Sequence, residues 1–233
     1  MNSDKNTARL LGLMFIIVAV LAFLSGVPLS QLNYSMTGPP NNISETMIAF
    51  SDNSTMVQMS IIGFLIEAVA IVLLTVLLYL SLKKQNRIIA LWAFGLWIIE
   101  AVFVTIRQIS AFSLLYTGQE YVKAGTPDSS YFQTLGSLFY ELMHFTLDVQ
   151  MVFYCVGGFL FYFLFFRSKY IPRVLALWGL IAVSLGFIGE LFALFGYDVP
   201  LYVFLPILPF ELAIGVWLMV KGFTAQEAKS ESG

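Results

Sequence analysis

Charge is what this sequence has least of. Of 233 residues, 12 are Lys or Arg and 14 are Asp or Glu, so that 11% are charged against 59% hydrophobic, where soluble chains carry roughly 25% charged residues. A surface facing water needs more charge than this, and a surface facing lipid needs none. A soluble domain is therefore excluded, and the chain reads as an all-α, polytopic integral membrane protein. Other scarcities each remove a class of function. The formal net charge is −2 and dense Lys/Arg runs are missing, which excludes nucleic acid as a partner because phosphates require clustered cations. The single cysteine, Cys155, excludes an internal disulfide and every multi-Cys metal site; in its apolar run it reads as a small core residue. The single histidine, His144, excludes haem held by two histidines and disfavours zinc hydrolysis. No lysine lies deep in an apolar run, so a retinal-type Schiff base has no site. Neither a G-x-S-x-G elbow nor a Gly-rich phosphate loop occurs, and no cofactor is indicated.

Long apolar runs are what the chain does have. Stretches able to cross ~30 Å of hydrocarbon at ~1.5 Å per residue are expected at about 8–29, 57–82, 88–115, 136–166, 174–196 and 201–221, six helices bundled into a single membrane domain over 1–233. The first run is too long for a signal peptide and no small-residue cleavage site follows it, so it reads as a retained span. The cations set the orientation. Lys5, Arg9, Lys83, Lys84, Arg87, Arg167, Lys169, Arg173, Lys221 and Lys229 fall on one side of the alternating spans and only Lys123 on the other, which places both termini in the cytoplasm of a cell-membrane protein. Outer loops are expected at about 30–56 and 117–135, with a short one at Asp198. They carry Glu45, Asp52, Glu120, Asp128 and Asp198. The first is turn-rich at Gly38-Pro39-Pro40-Asn41-Asn42 and holds N-x-S/T triplets at Asn33, Asn42 and Asn53, acceptors only in a host that glycosylates.

One internal echo stands out. Arg87-Ile88-Ile89-Ala90-Leu91-Trp92 opens the third span and Arg173-Val174-Leu175-Ala176-Leu177-Trp178 the fifth. Either a helical hairpin has been duplicated, or Arg plus Trp is simply a shared way of anchoring a helix at the inner interface.

Six acids lie where charge is least favourable: Glu67, Glu100, Glu141, Asp148, Glu190 and Glu211, joined by Arg107 and His144. A central charge costs roughly 2.5–3.5 kcal/mol on the insertion scale while each Leu, Ile, Val or Phe returns about 0.3–0.6. Insertion is thus feasible, but these groups are not expected to face lipid. Gly63 precedes Glu67 by one helical turn, Gly186 and Ala182 precede Glu190 by one and two, and Gly215 follows Glu211 by one. Small residues mark close helix approach in lipid, so these glutamates are expected to point inward. Glu100 and Arg107 share a face two turns apart, and Glu141, His144 and Asp148 form the densest stripe, with Thr146 and Gln150 nearby. Pro206 and Pro209 should interrupt the sixth span just before Glu211. Together these residues suggest an acidic pocket open toward the outer side. The alternative is that the acids and Arg107, as an acid's partner, are hydrogen-bonded or ion-paired glue between helices.

The spacing Glu141-x-x-His144 also occurs in carboxylate-bridged di-metal bundles, but those require a second histidine. A single Mn²⁺, Fe²⁺ or Ca²⁺ on such a carboxylate-rich site is the remaining metal possibility.

The segments Ala8-Arg9-Leu10-Leu11-Gly12, Ile98-Ile99-Glu100-Ala101, His144, Ser168-Lys169-Tyr170-Ile171-Pro172-Arg173 running on to Leu177-Trp178-Gly179-Leu180, and Glu211-Leu212-Ala213 running into Trp217-Leu218-Met219-Val220-Lys221-Gly222 resemble a family of bacterial six-span membrane proteins, domain of unknown function 4386. The resemblance implies the six-span fold and singles out Glu100, His144 and Glu211, without an activity to transfer. The family tends to carry an arginine three residues before the third-span glutamate. Here that position is Trp97, and Arg107 lies on the other side.

Three functions are compatible with these residues. The first is transport of protons or of a small cationic or amphipathic ligand through the acidic pocket, since intramembrane carboxylates with a histidine are typical of proton relays. The second is a membrane-embedded enzyme or metal-binding protein for a lipid-like substrate, using Glu141, His144 and Asp148. The third is a structural or sensing membrane protein whose acids hold helices together.

Overall fold

The structure is a computed structural model that describes residues 2–30, 32, 42–126 and 130–224. Asn33, the segment Gly38-Pro39-Pro40-Asn41, Asp128 and Lys229 lie outside the described residues. Seven α-helices are present among those described: α1 (Asn2–Ser30), α2 (Ile43–Asp52), α3 (Ser54–Leu82), α4 (Arg87–Lys123), α5 (Ser130–Ser168), α6 (Arg173–Leu194) and α7 (Ile207–Lys221), with a 3₁₀ turn at Leu201–Val203 before α7. Six of the helical segments are long and apolar enough to cross a membrane; α2 is not one of them. Their outer faces carry large apolar side chains such as Val69, Leu73, Ile109 and Val216, all exposed, as a lipid-facing surface requires.

The six spans form a closed ring. Each packs against the next in chain order and α7 returns to α1. Glycine makes the closing seam possible. A Cβ at Gly12 would stand 2.5 Å from the Gly215 carbonyl oxygen, and one at Gly215 would stand 2.9 Å from the Gly12 oxygen, so the two backbones touch with no room for side chains between them.

All the cations named for one side, from Lys5 to Lys221, are exposed, and the ends bearing them meet. Gln85 Nε2 donates to the Tyr170 hydroxyl at 3.1 Å, the Thr224 backbone N–H donates to the Tyr170 carbonyl at 2.8 Å, and the Tyr170 and Phe223 rings lie 5.0 Å apart. The loops after α3 and α5 and the end of α7 are thereby gathered at one cationic end. The α4 echo motif starts on a capped helix, with Asn86 Oδ1 accepting from the Ile89 N–H at 3.0 Å. In both copies the alanine is buried, Ala90 and Ala176, while Trp92 and Trp178 are exposed. The repeated pattern therefore sets the same helix face inward twice.

At the opposite end much of what the sequence reads as outer loop is helical. Residues 43–52 of the first loop form α2, and helix occupies most of 117–135 because α4 runs to Lys123 and α5 starts at Ser130. Helices of 37 and 39 residues are ~55–58 Å long, well beyond ~30 Å of hydrocarbon. Their outer ends are held by α2, which buries Thr46, Met47 and Phe50. It lies on glycines: a Cβ at Gly118 would meet the Met47 carbonyl oxygen at 2.5 Å, and one at Gly136 would meet Met47 Sδ at 2.7 Å. Asn42 and Asn53 belong to this unit. The Asn42 side chain caps α2 by accepting from the Ser44 N–H at 3.0 Å, and Asn53 Nδ2 donates to the Ala49 carbonyl at 2.9 Å.

Candidate functional site

Measured from the cationic end at ~1.5 Å per residue, the ring interior changes character in three levels. The lowest third is mostly apolar: Leu78, Leu82, Ala90, Ala93, Leu164 and Leu218 are all fully buried, with Thr75, Tyr162 and Ser168 the buried hydroxyl residues among them. At about 15–20 Å comes an aromatic and carboxylate level formed by Trp97, Glu100, Tyr154 and Glu211. At about 24–31 Å lie Glu67, Arg107, Gln108, Gln150 and Glu190, all buried.

The middle level is tied together by directional contacts. Tyr154 Oη donates to Glu211 Oε1 at 2.7 Å, joining α5 to α7. Trp97 Nε1 donates to the Tyr154 carbonyl at 2.9 Å, and the two rings stack at 5.8 Å and 6°. The Trp97 ring fits against α5 because Gly157 has no side chain; a Cβ there would stand 2.5 Å from Trp97 Cδ1. Phe210, directly before Glu211, meets the Tyr162 ring edge-on at 4.7 Å and lies against Gly179 of α6, where a Cβ would overlap its ring. The α7 helix starts only at Ile207, after Pro206, so its first turn, with Glu211 in the next residues, lies at membrane depth. Proline removes a backbone donor that would otherwise need an acceptor there.

Three carboxylates from three helices share this interior. Glu67 of α3 is within electrostatic reach of Arg107 and Glu211, and Glu100 of α4 within reach of Glu67 and Glu211 of α7. Among the described residues the ion pair closer than 4.0 Å is Lys123–Glu120, at the surface, and none of Glu67, Glu100, Glu190 or Glu211 is so paired. Arg107, expected as an acid's partner, has Glu67 within electrostatic reach and no carboxylate within 4.0 Å among the described residues. Its guanidinium lies over the Phe64 ring, 4.3 Å from the centroid, a cation–π contact, with Glu67 further off.

The α5 stripe does not enter the cluster as a unit. Glu141 is exposed, and His144 and Asp148 are half-buried. Glu141 stands ~39 Å from Arg167 along the helix, more than the ~30 Å thickness of hydrocarbon. His144 packs its ring 4.7 Å from that of Tyr140 and is within electrostatic reach of Arg107. Asp148 and Glu190 are within reach of each other across the α5–α6 contact. Among the described residues no group of three or more His, Cys, Asp or Glu side chains is placed to hold a metal ion.

Sequence reasoning missed Tyr154, Phe64, Gln108 and Ser60. Tyr154 follows Gln150 by one turn and Ser60 precedes Glu67 by two, so extending each polar position along its own helix face would have found them. Tyr154→Phe removes the donor to Glu211. A buried hydrogen bond contributes about 1 kcal/mol net, and interhelical ones in membranes average ~0.6. The melting midpoint in detergent is expected to fall by about 1–4 °C; an unchanged midpoint would show that the bond contributes nothing to holding α5 on α7.

The fold and its interior define an α-helical, polytopic membrane protein with a buried centre of carboxylates. The chain belongs to the family described as Domain of unknown function (DUF4386), whose model matches residues 9–222. No curated protein and no solved structure matches the chain. The family description assigns no activity, so function rests on the geometry.

Proposed function

We propose that this is a small transport or permeation protein of the cell membrane, with both termini in the cytoplasm, that conducts protons or a small cationic solute through the carboxylate centre. The observation that carries the reading is the placing of Glu67, Glu100 and Glu211, from three helices, in one buried interior without a cation within 4.0 Å of any of them. An acid used only to fasten helices would be expected to have a donor for each buried oxygen, and Glu67 Oε2 has none, which is costly in a low-dielectric interior. Carboxyl groups with no cation within 4.0 Å suit a passing cation or proton. The segregation of exposed cations at the opposite end supports the orientation through the positive-inside bias.

The test is flux in proteoliposomes across a panel of protons, alkali cations and small organic cations. Flux is expected for the parent, and Glu100→Gln and Glu211→Gln are expected to reduce it to that of empty vesicles while keeping a monodisperse fold. Glu211 also accepts from Tyr154, which favours a packing role for that one acid. Absence of flux throughout, together with lower melting midpoints in both variants, would replace transport by the packing role.

A further inference from the structure

The level above the aromatic layer holds polar atoms that have nothing to bond. Ser60 Oγ, Glu67 Oε2, Gln108 Oε1, Gln150 Oε1 and Glu190 Oε2 are buried and without a hydrogen-bond partner, and their residues come from α3, α4, α5 and α6. Ser60, Glu67, Gln108, Gln150 and Glu190 are all more than nine-tenths buried. Gln108 is not simply turned the wrong way, since its Nε2 already donates to the Val104 carbonyl at 3.0 Å. At this depth stands Arg107, itself 6% exposed, with five N–H donors and its guanidinium over the Phe64 ring. Unmet oxygens and a guanidinium thus occupy the same depth, about 24–34 Å from the cationic end. Thr75 Oγ1, Tyr162 Oη and Trp217 Nε1 are also without a partner, but they lie lower down, at about 6–11 Å.

Direct pairing does not satisfy these groups, so something small must. It has to donate to the carboxylate and amide oxygens and accept from the guanidinium, and water does both. Buried polar groups in native proteins are nearly always satisfied by protein or ordered water. We infer that the outer half of the ring interior is a hydrated chamber, lined by Ser60, Glu67, Arg107, Gln108, Gln150 and Glu190, through which a small cation reaches Glu100 and Glu211 from the end opposite the cationic loops. It deepens the transport reading and rests on it for its purpose. The chamber's floor is the Trp97, Tyr154 and Phe210 layer. Below it apolar side chains predominate, with the Thr75 and Tyr162 hydroxyls as scattered buried polar atoms, so the chamber opens toward the other end in this conformation. Helix α2, packed on α4, α5 and α3, forms part of the roof.

The lone native cysteine makes the chamber measurable. Cys155 lies one residue past Tyr154, at the floor, and is 1% exposed. In a Cys155→Ser background, Gln108→Cys and Gln150→Cys are treated with a membrane-impermeant, positively charged methanethiosulfonate, on intact cells and on inside-out vesicles. Both are expected to react from the outer face at least about tenfold faster than Cys155 in the parent, because thiol reactivity follows access and thiolate character, and neither from the inner face. The native protein supplies a second measurement: in radiolytic footprinting Phe64, which lies beneath Arg107, is expected to be oxidised by adjoining water and Phe161 is not. Unreactive thiols on both faces, with Phe64 as inert as Phe161, would overturn the chamber. Flux is read separately: its absence with labelling intact would sink transport alone.

Discussion

Gly12→Leu is expected to abolish the monodisperse folded protein, and Gly12→Ala to lower its melting midpoint by about 3–10 °C. A Cβ at this position would stand 2.5 Å from the Gly215 oxygen, 2.8 Å from the Met219 nitrogen and 2.9 Å from Leu218 Cβ. Two of the three are backbone atoms of α7, so no side-chain rotation relieves the overlap and the helix itself must move. Overpacking a close contact costs about 1–3 kcal/mol, and each kcal/mol shifts the midpoint of a chain this size by roughly 2–4 °C. Leucine adds three further carbons, and the seam between α1 and α7 is the one that closes the ring. Without water to drive apolar faces together, helices in lipid associate through such close packing, and little remains to hold α7 once it is lost. Gly95→Leu is the control, since a Cβ there meets nothing within 4 Å. If the two leucine variants melt alike, the glycine seam is not what closes the bundle.

Trp97→Ala is expected to lower the midpoint by about 6–20 °C. The side chain is 2% exposed and touches Tyr154, Phe161 and Tyr162 with ring centroids 5.8, 5.1 and 6.5 Å away. Truncating a buried Trp costs about 3–5 kcal/mol through lost contacts and the cavity left behind, and at roughly 2–4 °C per kcal/mol this gives the stated range. Trp97→Phe keeps a ring in the slot but loses the N–H bond to the Tyr154 carbonyl, so its effect is expected to be less than half as large. Detergent thermal shift separates the three proteins, and a Trp97→Ala midpoint within about 1 °C of the parent would show that the aromatic layer carries no packing energy. Because this layer is the floor under the outer half of the interior, the same variant tests whether the floor is structural as well as positional.

How much of this was legible beforehand varies residue by residue. The six spans are read from length and apolar run, because the backbone of a span must satisfy its own hydrogen bonds in lipid and so has to be helical. Gly63, Gly186 and Gly215 mark faces that do pack closely: a Cβ at Gly63 would overlap Ser25 of α1, and one at Gly186 would stand 3.2 Å from Cys155 Sγ. The glutamates one turn away, Glu67, Glu190 and Glu211, are buried. Glu141 differs from them and is exposed: counted from Arg167 it lies ~39 Å along α5, more than ~30 Å of hydrocarbon, as the unusual length of that span already implies. The short helix α2 was hidden inside a stretch read as loop, being too brief to show a span's apolar run. Tyr154 gave no sign of its bond to Glu211, because the two lie on different helices 57 residues apart.

The sequence by itself determined that the chain is helical and spans the membrane six times, which end of the bundle collects the cations, and which ionisable groups lie in the spans. These follow from local properties: run length, hydropathy and the places where charge interrupts them. Only the tertiary structure decided that the spans close into a ring through Gly12 and Gly215, that Glu67, Glu100 and Glu211 share one interior, and that Arg107 rests on Phe64 and not on a carboxylate. The reason is geometric. Periodicity fixes which residues share a face of one helix, but the neighbour that face meets, and at what depth, is set by close packing between helices distant in sequence.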